Sequence, residues 1–362
     1  MSSKVLALFP RETTTQLGLF DERFAIMRTE IRHDRDELLG FKTPADQWSH
    51  RLRAIEESLA DCGESAGVDA VIAPAGPVLD LNGGIFSVDR AFLKKIQDGQ
   101  GSFLNLGALL ADALALVRDA RAFAVVSLSD DELDPISRVT GLPGVFFGSA
   151  IRTFVIKDVI YRALPETGRP FQDVSAVVAY LGTNFIICAF RGGKITDLSN
   201  SNERGPFSLT KSGAIPAAEL IRMAYSGMWS MDSLVDKLGL HGGMESYTGT
   251  DDLGGIVSRA YEGDVIAALI LRGMAYQTAQ EIAAQAVALS GDVDAIILTG
   301  VCAESEVFVK LLNERVSWIT DRVIVYPEDD DLSTVARFAF RALKNEVPVL
   351  CASDETRDGE NA

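Results

Sequence analysis

The chain has little of several features that would point to particular classes of protein. Its 362 residues hold only four cysteines and three histidines, with no two cysteines spaced as a CxxC pair. This scarcity argues against a zinc centre, and we expect no protein-held metal. No run of 18 apolar residues occurs, and the N-terminus shows no cleavable signal pattern. We therefore expect a cytoplasmic protein that has no membrane partner.

Positive charge is also scarce. Lys and Arg number 34 against 51 Asp and Glu, which gives a formal net charge of -17. Such a chain repels phosphate backbones and anionic membrane surfaces, so nucleic acid is not an expected partner. Hydrophobic residues make up 47% and charged residues 23%, a globular composition, and the length favours two domains.

Two of the cysteines, Cys188 and Cys302, fall inside or just after apolar strand patterns. A thiol in such a place is either a small buried hydrophobic residue or a nucleophile. We favour the buried interpretation because no histidine is near either cysteine in the sequence.

A pattern of three strands joined by short polar turns occurs twice. The predicted strands are Val5–Phe9, Leu17–Phe20 and Phe24–Ile31 in the first meander, and Ala176–Leu181, Phe185–Phe190 and Ile195–Leu198 in the second. Tight turns between short apolar runs are typical of antiparallel hairpins. We interpret the repeat as an internal duplication.

Helical patterns alternate with apolar strands after each meander. Further strands are predicted at Asp69–Ala73, Ala122–Ser127, Ala295–Thr299 and Val323–Tyr326, and a helix at Ala275–Leu289. This alternation predicts an α/β protein with mixed sheets covered by helices. We expect two lobes, 1–170 and 171–350, around a cleft lined by the hairpin turns and the turn at Thr299-Gly300. Residues 351–362 read as a flexible acidic tail.

One acidic run comes directly after the second of these strands. Asp130-Asp131-Glu132 is interpreted as the charge cluster at the N-terminus of a helix, where acidic side chains are favoured.

The stretch Asn202–Pro216 closely resembles a signature of the butyrate kinase branch of the acetate kinase family. Further stretches similar to that family occur in the same order, and the resemblance runs from about Val5 to Leu343. They are Leu81–Gly84, Asn105–Ala108, Tyr247–Asp251, Met274–Gln277, Asp294–Gly300 and Val323–Pro327. The resemblance implies a duplicated actin-like (ribonuclease H-like) fold of two lobes with an interdomain cleft, and a homodimer. It also implies transfer of the γ-phosphoryl group of Mg-ATP to a short-chain carboxylate, although fold likeness alone does not carry that activity.

The resemblance assigns phosphate contacts to the first hairpin turn. Thr13, Thr14 and Thr15 keep its hydroxyl character, and ordinary turn chemistry is the alternative. Three family residues around this turn, an Asn, a Gly and a Lys, are replaced by Phe9, Arg11 and Gln16.

The resemblance assigns further nucleotide contacts to the second half of the chain. Gly182 is the one glycine left of three in the second hairpin, and Asn184 beside it either contacts a ligand or simply makes the turn. The remaining nucleotide-site residues are Gly205 in the signature and Thr299 and Gly300 after a strand. Val301 follows where the family has a second glycine, and we expect it to crowd the nucleotide.

Two cations are the candidate catalytic residues. Arg152 aligns with a family histidine, and Lys211 aligns with a family arginine; an exposed loop lysine is the alternative for Lys211. Pro74 stands where the family has a substrate-binding arginine, and a neutral ring cannot bind a carboxylate. The family aspartate falls near Val126 or Ser127, neither of which can ligate Mg²⁺. Near the C-terminus, Arg337-Phe338 replaces a Glu-Gly pair and is expected to fill the nucleotide pocket.

Two functions and one structural role stay open. The first is a butyrate-kinase-like protein with lost or much reduced activity that binds a small carboxylate, a nucleotide or a partner. The alternative is an active short-chain carboxylate kinase that uses Mg-ATP and rests on Lys211, Arg152, Gly182 and Gly300. The third is a purely structural dimer, and in every case we expect a homodimer formed through the second lobe.

Overall fold

The computed structural model describes residues 2–61, 67–76, 78, 81, 83–98, 103–126, 132–148, 152–327 and 330–353. Asn82, Ser127 and Cys62 lie outside these ranges, as does the predicted tail from residue 354 onward. The described residues form two sheets and twelve α-helices. None of the helices in this part of the chain is long and apolar enough to cross a membrane.

The first sheet has seven strands, and its order is β12-β5-β6-β4-β1-β2-β3. The strands are β1 (Lys4–Pro10), β2 (Thr14–Asp21), β3 (Ala25–Arg32), β4 (Ala70–Ala75), β5 (Gly84–Ser87), β6 (Arg121–Val126) and β12 (Val349–Leu350). The second sheet has five strands in the order β11-β10-β7-β8-β9. They are β7 (Ala176–Leu181), β8 (Phe185–Arg191), β9 (Lys194–Asn200), β10 (Ala295–Thr299) and β11 (Val323–Tyr326).

The helices fall into three groups along the chain. Before the second sheet come α1 (Arg35–Leu38), α2 (Trp48–Asp61), α3 (Arg90–Asp98), α4 (Phe103–Arg118) and α5 (Thr153–Thr167). Between β9 and β10 come α6 (Ala217–Ala224), α7 (Met231–Gly239), α8 (Gly243–Thr248), α9 (Leu253–Tyr261) and α10 (Val265–Ala288), followed by α11 (Glu306–Val316) and α12 (Asp331–Leu343). Short 3₁₀ helices occupy Ala45–Gln47, Pro135–Arg138, Phe171–Asp173 and Val301–Glu304.

Both predicted meanders are confirmed. β1 pairs antiparallel with β2, and β2 with β3. β7, β8 and β9 repeat this arrangement in the second sheet. β7 has its predicted bounds and β3 is shifted by one residue, whereas β2 and β9 are several residues longer than predicted. They are longer because their ladder hydrogen bonds extend past the apolar cores into polar residues, as at Thr14 and Asn200.

The central strands are buried along consecutive residues, a pattern typical of sheets that are covered by helices. β1 and β4 are almost wholly buried, and α4 and α12 pack on them. In the second sheet, α10 contacts β7, β8 and β9. It begins at Val265, ten residues before the predicted start, because Asp264 caps it by accepting a hydrogen bond from Ala267 N.

The chain divides into two compact units. One comprises Met1–Asp130, Arg152–Asp158 and Asp330–Ala362, and the other Asp131–Ile151 and Val159–Asp329. The predicted division cut the chain once, between residues 170 and 171. The C-terminal segment belongs instead with the first sheet, because α12 packs on β1, β2 and β4 and β12 pairs parallel with β5.

Of the acidic run that was interpreted as a helix N-terminal charge cluster, Glu132 lies within the described residues. Its Oε2 accepts a hydrogen bond from Ile195 N at 3.0 Å, and a short 3₁₀ helix begins three residues later, at Pro135. The carboxylate thus accepts a backbone hydrogen bond from β9, the edge strand of the second sheet. Asp130 and Asp131 lie outside the described residues.

Candidate functional site

The turn that contains Thr13, Thr14 and Thr15, here called the threonine turn, is held by hydrogen bonds to His33 and Arg51. Thr15 is fully buried, and its Oγ1 is hydrogen-bonded to His33 Nε2 at 2.9 Å and accepts from Arg51 Nη1 at 3.0 Å. The carbonyl of Thr13 accepts from His33 N, and that of Thr14 accepts from Arg51 Nη1. The hydroxyl of Thr15 is therefore committed to the protein, whereas Thr13 and Thr14 are half-buried at the surface.

Sequence reasoning missed Arg51, which organises this turn. Its guanidinium is fully buried, bonds Gln47 Oε1 through Nε and Nη2, and donates to the carbonyl of Glu12 at 2.7 Å. Burial lowers the pKa of Arg51 to about 10. Burial, followed by the charges of Arg51 and His50, lowers the pKa of His33 to about 4. A signal was present, since Arg51, Ile55 and Leu59 follow one another at four-residue spacing on the buried face of α2.

Arg152, the first candidate catalytic cation, lies just before α5 in an ion pair with Asp331. The Asp331 side chain is only 9% exposed and also accepts from Arg11 Nη2 at 3.1 Å. Arg11 belongs to the threonine turn, so Asp331 joins the turn to Arg152. Asp331, whose carboxylate pairs with both Arg11 and Arg152, was not predicted from the sequence.

A second ion cluster lies between α5 and α12. Asp158 is 1% exposed and accepts from Arg337 Nε at 2.8 Å and from Arg341 Nη1 at 2.7 Å. Arg337 was expected to fill the nucleotide pocket. Its guanidinium instead pairs with Asp158, and Phe338 is buried in the first unit.

The positions aligned with the family's arginine and aspartate lie in buried strands. Pro74 lies within β4, every residue of which is buried. A side chain at Gly107 would come within 2.6 Å of the Pro74 carbonyl oxygen, so α4 lies directly against this strand. Val126, at the end of β6, is 2% exposed. Neither position presents a polar side chain.

In the second unit, the carboxyl ends of β7 and β10 meet. Thr299 pairs with Tyr180 in parallel register, and Gly300 follows with φ of 93°. A Cβ on Gly300 would lie 2.7 Å from the Leu181 carbonyl carbon, so only glycine fits. The ring of Tyr180 folds over Gly182, where an added Cβ would lie 2.6 Å from the tyrosine hydroxyl.

Two polar atoms at these strand ends have no hydrogen-bond partner. They are Thr299 Oγ1, in a fully buried residue, and Asn184 Oδ1. A buried polar atom without a partner is costly, and such atoms are commonly satisfied by a bound ligand or water. The structure thus brings together four predicted residues, Gly182, Asn184, Thr299 and Gly300.

A pocket of about 430 Å³ adjoins the turn after Gly300. It lies by the starts of α9 and α11 and contains no Lys, Arg or His; its lining residues are Leu209, Asp251, Asp252, Leu253, Gly254, Val257, Val301, Cys302, Glu304 and Ser305. Val301 was expected to crowd a ligand, and it forms one wall of this pocket. Burial, and secondarily Glu304, raises the pKa of the Cys302 thiol to about 12, so the thiol stays protonated.

The signature segment folds as a compact loop after β9. Gly205 N donates to the Asn200 carbonyl at 2.8 Å, and a Cβ on Gly205 would lie 2.6 Å from the same oxygen. The loop joins the second hairpin through Ser208 Oγ, which donates to the Thr183 carbonyl at 2.5 Å.

Lys211, the second candidate catalytic cation, lies in the same loop. It is half-buried, and its ammonium donates to the carbonyl of Gly239, the last residue of α7. A cation at a helix C-terminus is stabilised by the helix dipole. In the described ranges, no three His, Cys, Asp or Glu side chains are placed to hold a metal ion.

Residues 153–317 match the sequence model of the Acetokinase family. The structure is similar to acetate kinase from Porphyromonas gingivalis, with a TM-score of 0.77 and 16% identity over 94% of this chain and 100% of that chain. Acetate kinase from Entamoeba histolytica has a TM-score of 0.73 and 14% identity, over 95% of this chain and 100% of that chain. A propionate kinase from Francisella tularensis has a TM-score of 0.70 and 14% identity, over 92% of this chain and 98% of that chain. These likenesses confirm the predicted actin-like α/β fold.

Proposed function

We propose that the chain is a butyrate-kinase-like member of the acetokinase family whose ATP:carboxylate phosphotransferase activity is lost or much reduced, and which acts by binding a ligand or partner. The match over residues 153–317 supports the family. The observation that carries the loss of activity is that both candidate catalytic cations are already engaged. Arg152 is paired with Asp331, and Lys211 is bonded to the end of α7.

Phosphoryl transfer depends on cations and donors that are aimed at the moving phosphoryl group. A phosphate oxygen that approached Arg152 would compete with Asp331, whose carboxylate is largely removed from water. Pro74 offers no replacement charge on the substrate side. Removing one such donor from an enzyme typically lowers its rate roughly a hundred- to a thousandfold.

Ligand binding is supported separately, by the second unit. Thr299 Oγ1 and Asn184 Oδ1 lack partners, and the pocket of about 430 Å³ is of a size that small ligands occupy. We infer that a nucleotide is the ligand, carried with Mg²⁺, because the acidic lining offers no cation to a free carboxylate. Mg²⁺ is usually held by one or two carboxylates together with phosphates, and Asp251, Asp252 and Glu304 in the lining could supply them. The cofactor is then Mg-ATP if activity is retained, and otherwise none.

The alternative is an active short-chain carboxylate kinase. The similarity to acetate and propionate kinases favours it, as does the retention of Gly182 and Gly300 at the strand ends. It requires that Lys211 and Arg152 leave their present partners when substrate binds.

We also propose a two-fold homodimer formed through the second unit. Residues 214–233 contain no buried side chain, although α6 and the start of α7 lie within them. Helices this short are not stable in water without packing. Tyr225 is 88% and Met231 82% exposed, and Ile221 and Met228 are exposed beside them. A second copy that covers this apolar surface would supply the missing packing, and closed two-fold dimers are the commonest oligomers.

Light scattering tests the dimer. We expect twice the chain mass for the wild type and the monomer mass for Tyr225→Asp, with Tyr261→Asp, an exposed tyrosine on α9, as the comparison. A wild-type monomer at micromolar concentration would contradict the proposal.

A coupled assay with Mg-ATP and acetate, propionate or butyrate tests the function. We expect turnover near background; about one per second or faster, the low end for ordinary enzymes, would establish the alternative. Thermal shift with ATP, ADP and carboxylates then tests ligand binding, because binding to the native state raises the melting temperature.

One variant tests the observation on which the loss of activity rests. Asp331→Asn removes the charge that pairs with Arg152, and we expect inorganic phosphate to stabilise this variant but not the wild type. Glu22→Gln, which breaks an exposed pair with Lys344, should behave like the wild type. Equal phosphate responses in wild type and Asp331→Asn would show that Asp331 does not hold Arg152 from anions.

A further inference from the structure

Thr299, at the end of β10, lies in a row of three residues that share one face of the second sheet. It pairs in parallel register with Tyr180 of β7 on one side and with Tyr326 of β11 on the other. Side chains in register on neighbouring strands point to the same face and stand about 5 Å apart. This face is opposite α10, because Ala179 and Leu298, the preceding residues of β7 and β10, belong to the core that packs on that helix.

The hydroxyl of Thr299 is closed off within this row. Thr299 is fully buried, and its Oγ1 makes no hydrogen bond with any described residue. Within the described part of the chain, the lining of the 430 Å³ pocket includes Val301 but neither Thr299 nor Tyr180. A buried hydroxyl without a partner costs free energy, so a state in which Thr299 Oγ1 gains a partner is favoured by that amount.

Tyr326 is the fixed member of the row. Its hydroxyl oxygen lies 2.7 Å from Glu166 Oε1 and 3.1 Å from the Arg162 carbonyl oxygen, both on α5. The Arg162 guanidinium also lies 4.1 Å from the centre of the Tyr326 ring, within the range of a cation–π contact. These contacts hold Tyr326 against α5.

The ring of Tyr180 instead extends along β7 to Gly182, which lies two residues further on the same face. A Cβ on Gly182 would lie 2.6 Å from the tyrosine hydroxyl oxygen and 2.7 Å from each of two ring carbons. The ring itself is well packed, since Tyr180 is only 6% exposed. A residue with a side chain at position 182 would therefore displace the ring. The glycine that is retained in the second hairpin makes room for Tyr180, whose ring lies across the carboxyl end of β7.

We propose that the ring of Tyr180 is a gate beside Thr299 that determines which ligands the strand ends accept. With the ring packed on Gly182, a ligand is confined to the pocket beside Val301. When the ring turns away about its side-chain bonds, the Thr299 hydroxyl can donate to a ligand oxygen, such as a phosphate oxygen of a nucleotide. The choice of a nucleotide rests on the proposed function, whereas the gate itself does not.

Access to position 299 tests the gate without a ligand. Thr299→Cys places a thiol at the covered position, and in a chain that also carries Cys302→Ala we expect this thiol to resist iodoacetamide under native conditions. Adding Tyr180→Ala should speed its alkylation about tenfold or more, because a covered group reacts only through rare openings. Adding Tyr261→Ala instead, which removes an exposed ring on α9, should not change the rate. Equal rates with the two alanine variants, read by peptide mass mapping, would overturn the proposal.

Two further variants guard against a purely structural effect of Tyr180→Ala. Tyr180→Phe keeps the ring and should keep the thiol protected. If Tyr180→Ala does not fold, Tyr180→Leu takes its place, since leucine fills part of the same volume but does not reach Gly182. Alkylation as fast with Tyr180→Phe as with Tyr180→Ala would contradict a gate formed by the ring.

A double-mutant cycle tests the contact on which the gate depends. Gly182→Ala should lower the melting temperature of the wild type by roughly 2 to 10 °C, because the added methyl group collides with the ring. In the Tyr180→Ala background the same change should cost much less, since the ring is gone. Costs that simply add would overturn the contact.

Ligand binding then separates the gate from the proposed function. By titration calorimetry, Tyr180→Ala should bind Mg-ATP about tenfold more tightly than the wild type, because a hydrogen bond from Thr299 to a charged oxygen becomes available. Thr299→Val should abolish this gain in the Tyr180→Ala background and leave the wild-type affinity unchanged. A gain that survives Thr299→Val would overturn the role of Thr299. If no variant binds a nucleotide while alkylation still depends on Tyr180, the proposed ligand is wrong and the gate is supported.

Discussion

The buried carboxylate of Asp158 offers the sharpest test of how α5 and α12 are held together. Both of its oxygens are used, one by Arg337 and the other by Arg341, at distances of 2.6 to 2.8 Å. Arg341 is 13% and Arg337 26% exposed, so both guanidinium groups are largely removed from water. Asp158→Asn keeps the size of the side chain but leaves two partly buried positive charges without their counter-ion.

Removing one partner of a buried ion pair typically costs about 3 to 5 kcal/mol. The residual exposure of Arg337 lets water solvate part of its charge, so we expect about 2 to 4 kcal/mol. For a domain of roughly 150 to 250 residues, each kcal/mol lowers the melting temperature by about 2 to 4 °C. Asp158→Asn should therefore melt roughly 5 to 15 °C below the wild type in a calorimetric scan.

A matched control separates burial from the simple loss of an ion pair. Glu22, in the turn after β2, and Lys344, directly after α12, form an exposed pair, and Glu22→Gln should change stability by less than about 0.5 kcal/mol. If Asp158→Asn melts within a degree or two of Glu22→Gln, the pairing of Asp158 with two arginines does not stabilise the first unit and the reasoning fails.

Three further predictions follow from individual residues. Gly300→Ala should cost more stability than Gly263→Ala, since both have positive φ but only Gly300 lies against the backbone of a neighbouring strand; equal costs in denaturant unfolding would refute the contact. The folded-state pKa of His33 is about 4, below the ordinary 6.5, so between these pH values the folded protein binds fewer protons than the unfolded chain. The free energy of unfolding should therefore fall by up to about 3 kcal/mol as the pH drops from 6.5 to 4. His33→Gln should flatten this pH dependence. Buried Cys302, with a pKa of about 12, should resist iodoacetamide at pH 8 in the native protein while half-exposed Cys351 reacts, as peptide mass mapping can show.

Local signals explain which parts of the fold were predictable. β7 and β11 have the predicted bounds because each is a short apolar run that ends in turn residues, and both conditions are visible in the sequence. The place of α12 was not predictable in this way. Its amphipathic pattern shows that one face is buried but not against which sheet, and its packing on β1 joins residues more than 300 positions apart.

The residues of the candidate site were likewise predictable where the signal is local and not where it depends on residues distant in the sequence. Gly300 could be identified from sequence because a glycine after an apolar strand implies a close backbone approach, and the structure places the Leu181 carbonyl there. The engagement of Arg152 could not, because it depends on Asp331, which arrives from the far end of the chain. Arg51 lay between these cases, since its spacing on α2 marked a buried position while its charge argued for an exposed one.

Acidic residues outnumber basic ones, 51 to 34, and three of the arginines discussed above pair with carboxylates. Arg152 pairs with Asp331, and Arg337 and Arg341 pair with Asp158, whereas buried Arg51 is bonded to neutral oxygens. A phosphate can use Arg152 only if it binds the guanidinium more tightly than Asp331 does. Asp331 has the advantage, since it is covalently part of the same compact unit and needs no association entropy. The balance can be reversed by removing the competing charge, and for this reason Asp331→Asn, rather than restored glycines in the second hairpin, is the change from which we expect anion binding to return.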